Sequence, residues 1–158
     1  MAIRGNKIMI TAEPKGMKAD AIIEGTPKPG VCVTVKTPFY QGNLHLVEPF
    51  NRGADGDRAE IAILLEDELQ GKTYNDAYVT LNICKIYYPA PGEMFNMWFQ
   101  NVAGTADDVA AGDYMIVDDG TGQLLVTTGS PEREPFKALG AITDPTADTL
   151  LPVLYTGS

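Results

Sequence analysis

Residues able to do chemistry are sparse in this chain. Its 158 residues hold a single histidine, His45, two cysteines, Cys32 and Cys84, and one tryptophan, Trp98. With no second histidine to share an ion, a histidine-based metal centre is excluded, and no CxxC pair exists for a metal or redox site. A disulfide between Cys32 and Cys84 stays open on the sequence alone. Two buried free thiols in a reducing compartment are the expectation, because both cysteines lie inside apolar runs. GxSxG, Walker-type and GxGxxG motifs are absent. No run of about 20 apolar residues occurs, so the sequence offers no membrane-spanning helix. The first twelve residues hold a short apolar patch that ends before Glu13, which is too weak for a secretory signal.

Helix signals are scarce as well. One helical turn is expected over residues 105–112, capped by Thr105, with Asp107 and Asp108 in the first turn and Gly112 after the last. What the chain does contain is punctuation. Its 16 glycines and 11 prolines are spread along the sequence and separate short β-branched runs. The runs are 7–11, 31–35, 44–47, 59–65, 78–88, 94–99, 114–117, 124–127, 138–142 and 150–155. Residues 78–88 alternate, with Val79, Leu81, Ile83 and Tyr87 on one parity, and predict one long half-buried strand. Residues 61–69 fit a helical period as well as a strand, and Gly71 close behind favours the strand. The motif Asp118-Asp119-Gly120-Thr121-Gly122 predicts a tight hairpin, since its glycines supply the positive φ values such a turn needs. Pro-Gly steps at 29–30 and 91–92 each introduce a strand.

The pattern predicts an all-β fold: a small antiparallel β-barrel or β-tulip-like sandwich with an extended N-terminal arm and at most one short helix. Residues 1–24 are expected to be the arm or an edge strand, and 25–158 the barrel domain.

Charge and side-chain chemistry narrow the function. The formal net charge is −9, and the first fifty residues set six cations against four acids, so the rest is strongly acidic. Such a body repels phosphate backbones, which argues against nucleic acid as a partner. His45 is expected to be a surface or hydrogen-bonded histidine. Asp55-Gly56-Asp57 and Asp118-Asp119-Gly120 lack the spaced oxygen donors of a calcium loop and read as turns. Glu66-Asp67-Glu68 and Asp107-Asp108 read as solvated acids. No catalytic residue, cofactor or metal is expected. A glycan- or receptor-binding β module, such as part of a tail or adhesin, is the main alternative to a structural role, with Trp98, Tyr87, Tyr88, Tyr40 and Phe39 as a stacking platform. A small β-barrel hydrolase or isomerase would require His45 beside two carboxylates.

In order, the motifs are Lys28-Pro29-Gly30-Val31, the stretch 65–73, Asp76-Ala77-Tyr78, Tyr88-Pro89-Ala90-Pro91-Gly92-Glu93 and Ala111-Gly112-Asp113-Tyr114. The 118–124 hairpin and a run rich in small residues at 135–142 follow. Over residues 25–156 this order resembles the capsid decoration, or cement, proteins of tailed bacteriophages. The resemblance implies a structural, non-enzymatic protein on the outer capsid surface of the virion, assembled in the bacterial host cytoplasm. It further implies a homotrimer or homodimer at capsid symmetry axes that bridges neighbouring major capsid proteins, often through a terminal arm. With that resemblance, the mildly basic N-terminal segment is where attachment is expected, at Ile3, Arg4, Lys7, Ile8 and Ile10, by adding a strand to a capsid protein's sheet edge.

Overall fold

The computed structural model describes residues 7–53, 60–100, 108–126, 134–143 and 147–157. Among the described residues ten strands carry the fold: β1 (Met17–Ile23), β2 (Cys32–Gln41), β3 (Leu44–Pro49), β4 (Ala62–Leu65), β5 (Ile83–Tyr88), β6 (Met94–Phe99), β7 (Tyr114–Val117), β8 (Leu124–Val126), β9 (Phe136–Ala138) and β10 (Thr149–Tyr155). The all-β expectation holds. A 3-10 turn at Glu68–Gln70 is the single helical element among the described residues.

The strands close into two five-stranded barrels, ordered β1-β3-β2-β4-β5 and β10-β6-β8-β7-β9. The first takes the N-terminal half of the chain and the second the C-terminal half. Antiparallel ladders dominate among the described residues, with parallel pairing at β1/β3 and β6/β8.

One wall of the first barrel is apolar on both faces. Val33 on β2, Ala62 and Leu64 on β4, and Cys84 and Ile86 on β5 fill the first barrel's interior. Their neighbours of opposite parity, Cys32, Ile63, Leu65 and Tyr87, point outward into the core of the second barrel. There they meet Phe95, Met97 and Phe99 of β6 with Leu124, Phe136, Leu151 and Val153. Burying each such large side chain stabilises by about 1.5–3 kcal/mol, so this common core holds the barrels together. Two-sided burial also explains why residues 61–65 show no clean period: all four residues of β4 are buried.

The tight turn at 118–122 locks the junction. The Gly120 amide donates to the Phe50 carbonyl at 2.7 Å, and the Cys32 amide donates to the Gly122 carbonyl at 2.8 Å. Asp119 Oδ1 accepts the Arg52 amide at 3.0 Å. A Cβ on Gly122 would sit 2.1 Å from the Cys32 carbonyl oxygen, so only glycine allows this approach.

Several boundaries differ from the sequence reading; β2, for example, runs on from the expected 31–35 to Gln41. Residues 17–23, inside the expected arm, form β1 and pair with both β3 and β5. The strand expected over 78–88 begins only at Ile83, because Leu81 takes a left-handed φ of 65° and the Asn82 amide closes a turn to the Val79 carbonyl. The strand expected over 138–142 runs over Phe136–Ala138, and Ile142 makes an isolated bridge to Val109. That bridge also replaces the helical turn expected there; Gly112 has φ 99° in a turn, while Thr105 and Asp107 lie outside the described residues.

Candidate functional site

The N-terminal segment was the expected attachment site, and the structure shows what it touches. Residues 7–11 lie antiparallel to the first half of β6, with Met9 opposite Phe95. The Asn96 amide donates to the Ile8 carbonyl at 2.7 Å, and the Ile10 amide donates to the Met94 carbonyl at 3.0 Å. Asn96 Nδ2 reaches the Lys7 carbonyl at 2.7 Å, and the Ile8 amide donates to Glu66 Oε1 at 2.6 Å. Lys7 pairs with Glu68 beyond β4. The segment is therefore a strap across both barrels, and its strand is added to an edge of this same chain. Ile8 is fully buried in the shared core, whereas Ile10 is 40% exposed and Lys7 faces solvent. Gly30 makes room for it, since a Cβ there would meet Ile8 Cδ1 at 2.7 Å. Ile3 and Arg4 lie outside the described residues.

Glu93 fastens the other end of the strap, where it turns into β1. This carboxylate is 2% exposed. Its Oε1 accepts the Tyr87 hydroxyl at 2.6 Å and the amides of Lys15 and Gly16, and its Oε2 accepts the Ala90 amide at 2.8 Å. Burial pushes its pKa upward, but the hydrogen bonds from Tyr87, Ala90, Lys15 and Gly16 outweigh it and hold the carboxyl below the ordinary range. Burial and the adjacent Glu93 push the Tyr87 hydroxyl up to about 12. The arrangement satisfies otherwise stranded backbone donors. Residue order placed Glu93 only at the end of the Pro-rich turn 88–93; its role depends on Lys15 and Gly16, which are distant in the chain.

A groove of about 650 Å³ runs beside the strap, lined by Lys18, Asp20, Glu66, Asp67 and Lys85 among others. Its charges are largely engaged with one another, Lys85 with Asp20 at 2.6 Å and Lys7 with Glu68. The acids at 66–68 differ from the expected solvated run. Asp67 is 5% exposed and caps the 3-10 turn, accepting the Leu69 amide and Gln70 Nε2. Asp118 accepts the Thr121 hydroxyl at 2.6 Å within its own turn. Asp55 and Asp57 lie outside the described residues; among the described residues no group of three or more His, Cys, Asp or Glu side chains is placed to hold a metal ion. Cys32 and Cys84 form no disulfide and are fully buried, and burial pushes the Cys84 thiol up to about 12.

The aromatic residues are sorted by burial. Tyr87 is in the core. Trp98 is half-buried, donates Nε1 to the Pro29 carbonyl at 2.9 Å, stacks on Tyr74 at 6.4 Å and carries Lys28 Nζ 5.4 Å from its ring centre. Tyr88 is half-buried. Phe39 and Tyr40 are exposed, and they stand on the β2–β3 hairpin together with His45. His45 Nδ1 accepts the Phe39 amide at 2.9 Å, and the two rings meet edge-on at 5.0 Å. The five rings proposed as a stacking platform are thus divided between core, junction and hairpin.

No protein-family model matches the chain, and no curated protein sequence matches it. Among solved structures, the fold is similar to the head fiber gp8.5 N base of bacteriophage phi29, with a TM-score of 0.52 and 9% identity. The match covers 90% of this chain and 96% of that one, so the two share a fold through nearly their whole lengths.

Proposed function

We propose that this chain is a structural virion protein that binds the outer surface of an assembled phage head and stabilises it by bridging major capsid proteins. The observation that carries this reading is the fold shared with a phage head fiber base over 90% of the chain. In this reading it is not an enzyme, acts without cofactor, nucleic acid or membrane, and sits as a homotrimer or homodimer at capsid symmetry axes. A protein that binds the assembled shell and not its separated subunits stabilises the shell by mass action, and repetition over the lattice multiplies the effect. Two barrels fused through one core suit that task, since a rigid body transmits load between its contacts. An acidic surface limits adhesion to DNA.

The same likeness favours a second reading, in which the chain is the head-bound base of a longer projection. Imaging of heads with and without the protein tests both. Density spanning two neighbouring capsid proteins, with heads that survive heating better, is the result expected of a bridging protein. Density seated on one capsomer and continuing outward would favour the fiber base. Heads that bind no protein at all would overturn both.

A further inference from the structure

The β2–β3 hairpin is built unlike the rest of the molecule. The six residues from Lys36 to Gln41 are all exposed, so the outer half of β2 projects from the first barrel. The register against β3 shifts twice, between Val35 and Thr37 and again between Thr37 and Gln41. Such bulges bend and twist a ribbon away from its sheet. Gly42 opens the two-residue end loop with φ 62°, as a type II′ turn requires.

Phe39 and Tyr40 stand at the bend, 69% and 49% exposed. Phe39 holds φ at 51°, a conformation that a bulky residue adopts only when its surroundings enforce it. His45 supplies that enforcement, through its Nδ1 on the Phe39 amide and its ring against the Phe39 ring. Strain of this kind concentrates at functional positions. Phe39 is therefore held in one presentation before any partner arrives, with Tyr40 next to it in the chain, which lowers the ordering cost of binding.

Charge indicates the kind of surface it fits. From Thr37 to Val47 the sequence has no Asp, Glu, Lys or Arg, in a chain of net charge −9. An uncharged aromatic tip desolvates cheaply into an apolar protein pocket. It has no cation for phosphate, and the acidic body behind it is repelled by anionic lipid. Adjacent exposed aromatics on a rigid support have the character of interface anchors.

We infer that Phe39 and Tyr40 are an anchor that inserts into an apolar pocket of a head-shell protein, with His45 as the positioning residue. This rests on the head-binding reading and names the contact it would use.

The test is sedimentation of the purified full chain with heads lacking it, comparing wild type, F39A/Y40A, H45A and, as a control for loss of an exposed apolar side chain outside the hairpin, L69A. Folding is followed by melting temperature and oligomeric state by solution mass for each variant. The expected result is at least about tenfold weaker head binding for F39A/Y40A, a smaller loss for H45A and none for L69A, with melting temperature and mass unchanged. Wild type that binds heads while F39A/Y40A binds equally well would overturn the anchor and leave the head-binding reading standing. Wild type that binds no heads overturns both. A change in the chain's own oligomeric mass in F39A/Y40A would place the rings between copies. Binding of wild type to neutral phosphatidylcholine vesicles, lost in F39A/Y40A while head binding persists, would place them in lipid. Either result overturns the proposal.

Discussion

The Tyr87 hydroxyl donates to the Glu93 carboxylate across 2.6 Å at the place where the N-terminal strap turns into β1. Tyr87 belongs to the wall between the barrels, and Glu93 leads into the first strand of the second barrel's sheet, so this contact ties three parts of the chain together. The Gly16 amide completes it, 2.7 Å from the Tyr87 oxygen.

Removing the carboxylate strands several buried donors. Glu93→Ala is expected to cost about 2–4 kcal/mol and Tyr87→Phe about 1 kcal/mol, both read from urea unfolding midpoints. A Glu93→Ala variant as stable as wild type would show that the clasp is dispensable.

The clasp has a pH signature. The folded-state pKa of Glu93 lies below its ordinary value of about 4.3, so its stabilisation is complete above that value and is lost as pH falls through the folded pKa. Wild type should lose stability on acidification below about pH 4 more steeply than Glu93→Gln, measured by unfolding at a series of pH values. Tyr87 behaves in the opposite sense. Its pKa is raised to about 12, so its contribution is complete below the ordinary tyrosine value of about 10 and fades as pH rises towards 12.

Ile8 and Ile10 separate core from surface on one strap. Ile8→Ala should cost about 2–4 kcal/mol by opening a cavity in the shared core beside Gly30, and Ile10→Ala less than about 0.5 kcal/mol. Thermal unfolding of the two variants makes the comparison. Equal effects would mean that the strap does not pack as described.

Gly122→Ala drives a methyl against the Cys32 carbonyl at a residue whose φ is 71°. It should cost more than about 2 kcal/mol, because both the backbone conformation and the contact between the barrels are lost. Gly120→Ala, with φ 104° and open space around its Cβ, bears only the conformational part and should be milder. Melting temperatures of the pair, measured side by side, decide it.

Much of the fold is legible in short-range chemistry. The run 94–99 became β6, 114–117 became β7, and the Asp-Gly turn between β7 and β8 stands where its glycines put it. The strand β1 escaped notice because its sequence, MKADAII, alternates poorly; what orders it is pairing with β3 on one side and β5 on the other. Residues 7–11 were legible as an extended run, but not which edge they would join. Glu93, Asp67 and the hairpin-bound His45 acquire their roles from residues distant in sequence or from local geometry that residue type does not encode.

The sequence with no obvious catalytic motif thus determined, by itself, an acidic all-β chain cut into short strands by glycine and proline, since turn conformations and strand alternation are properties of neighbouring residues. Only the tertiary structure decided that the strands close as two barrels and that 7–11 straps them together. Only there does the wall of β2, β4 and β5 face two cores. Closure and two-sided burial depend on which apolar faces meet across the chain, and local pattern records that a residue is apolar without recording what it will be buried against.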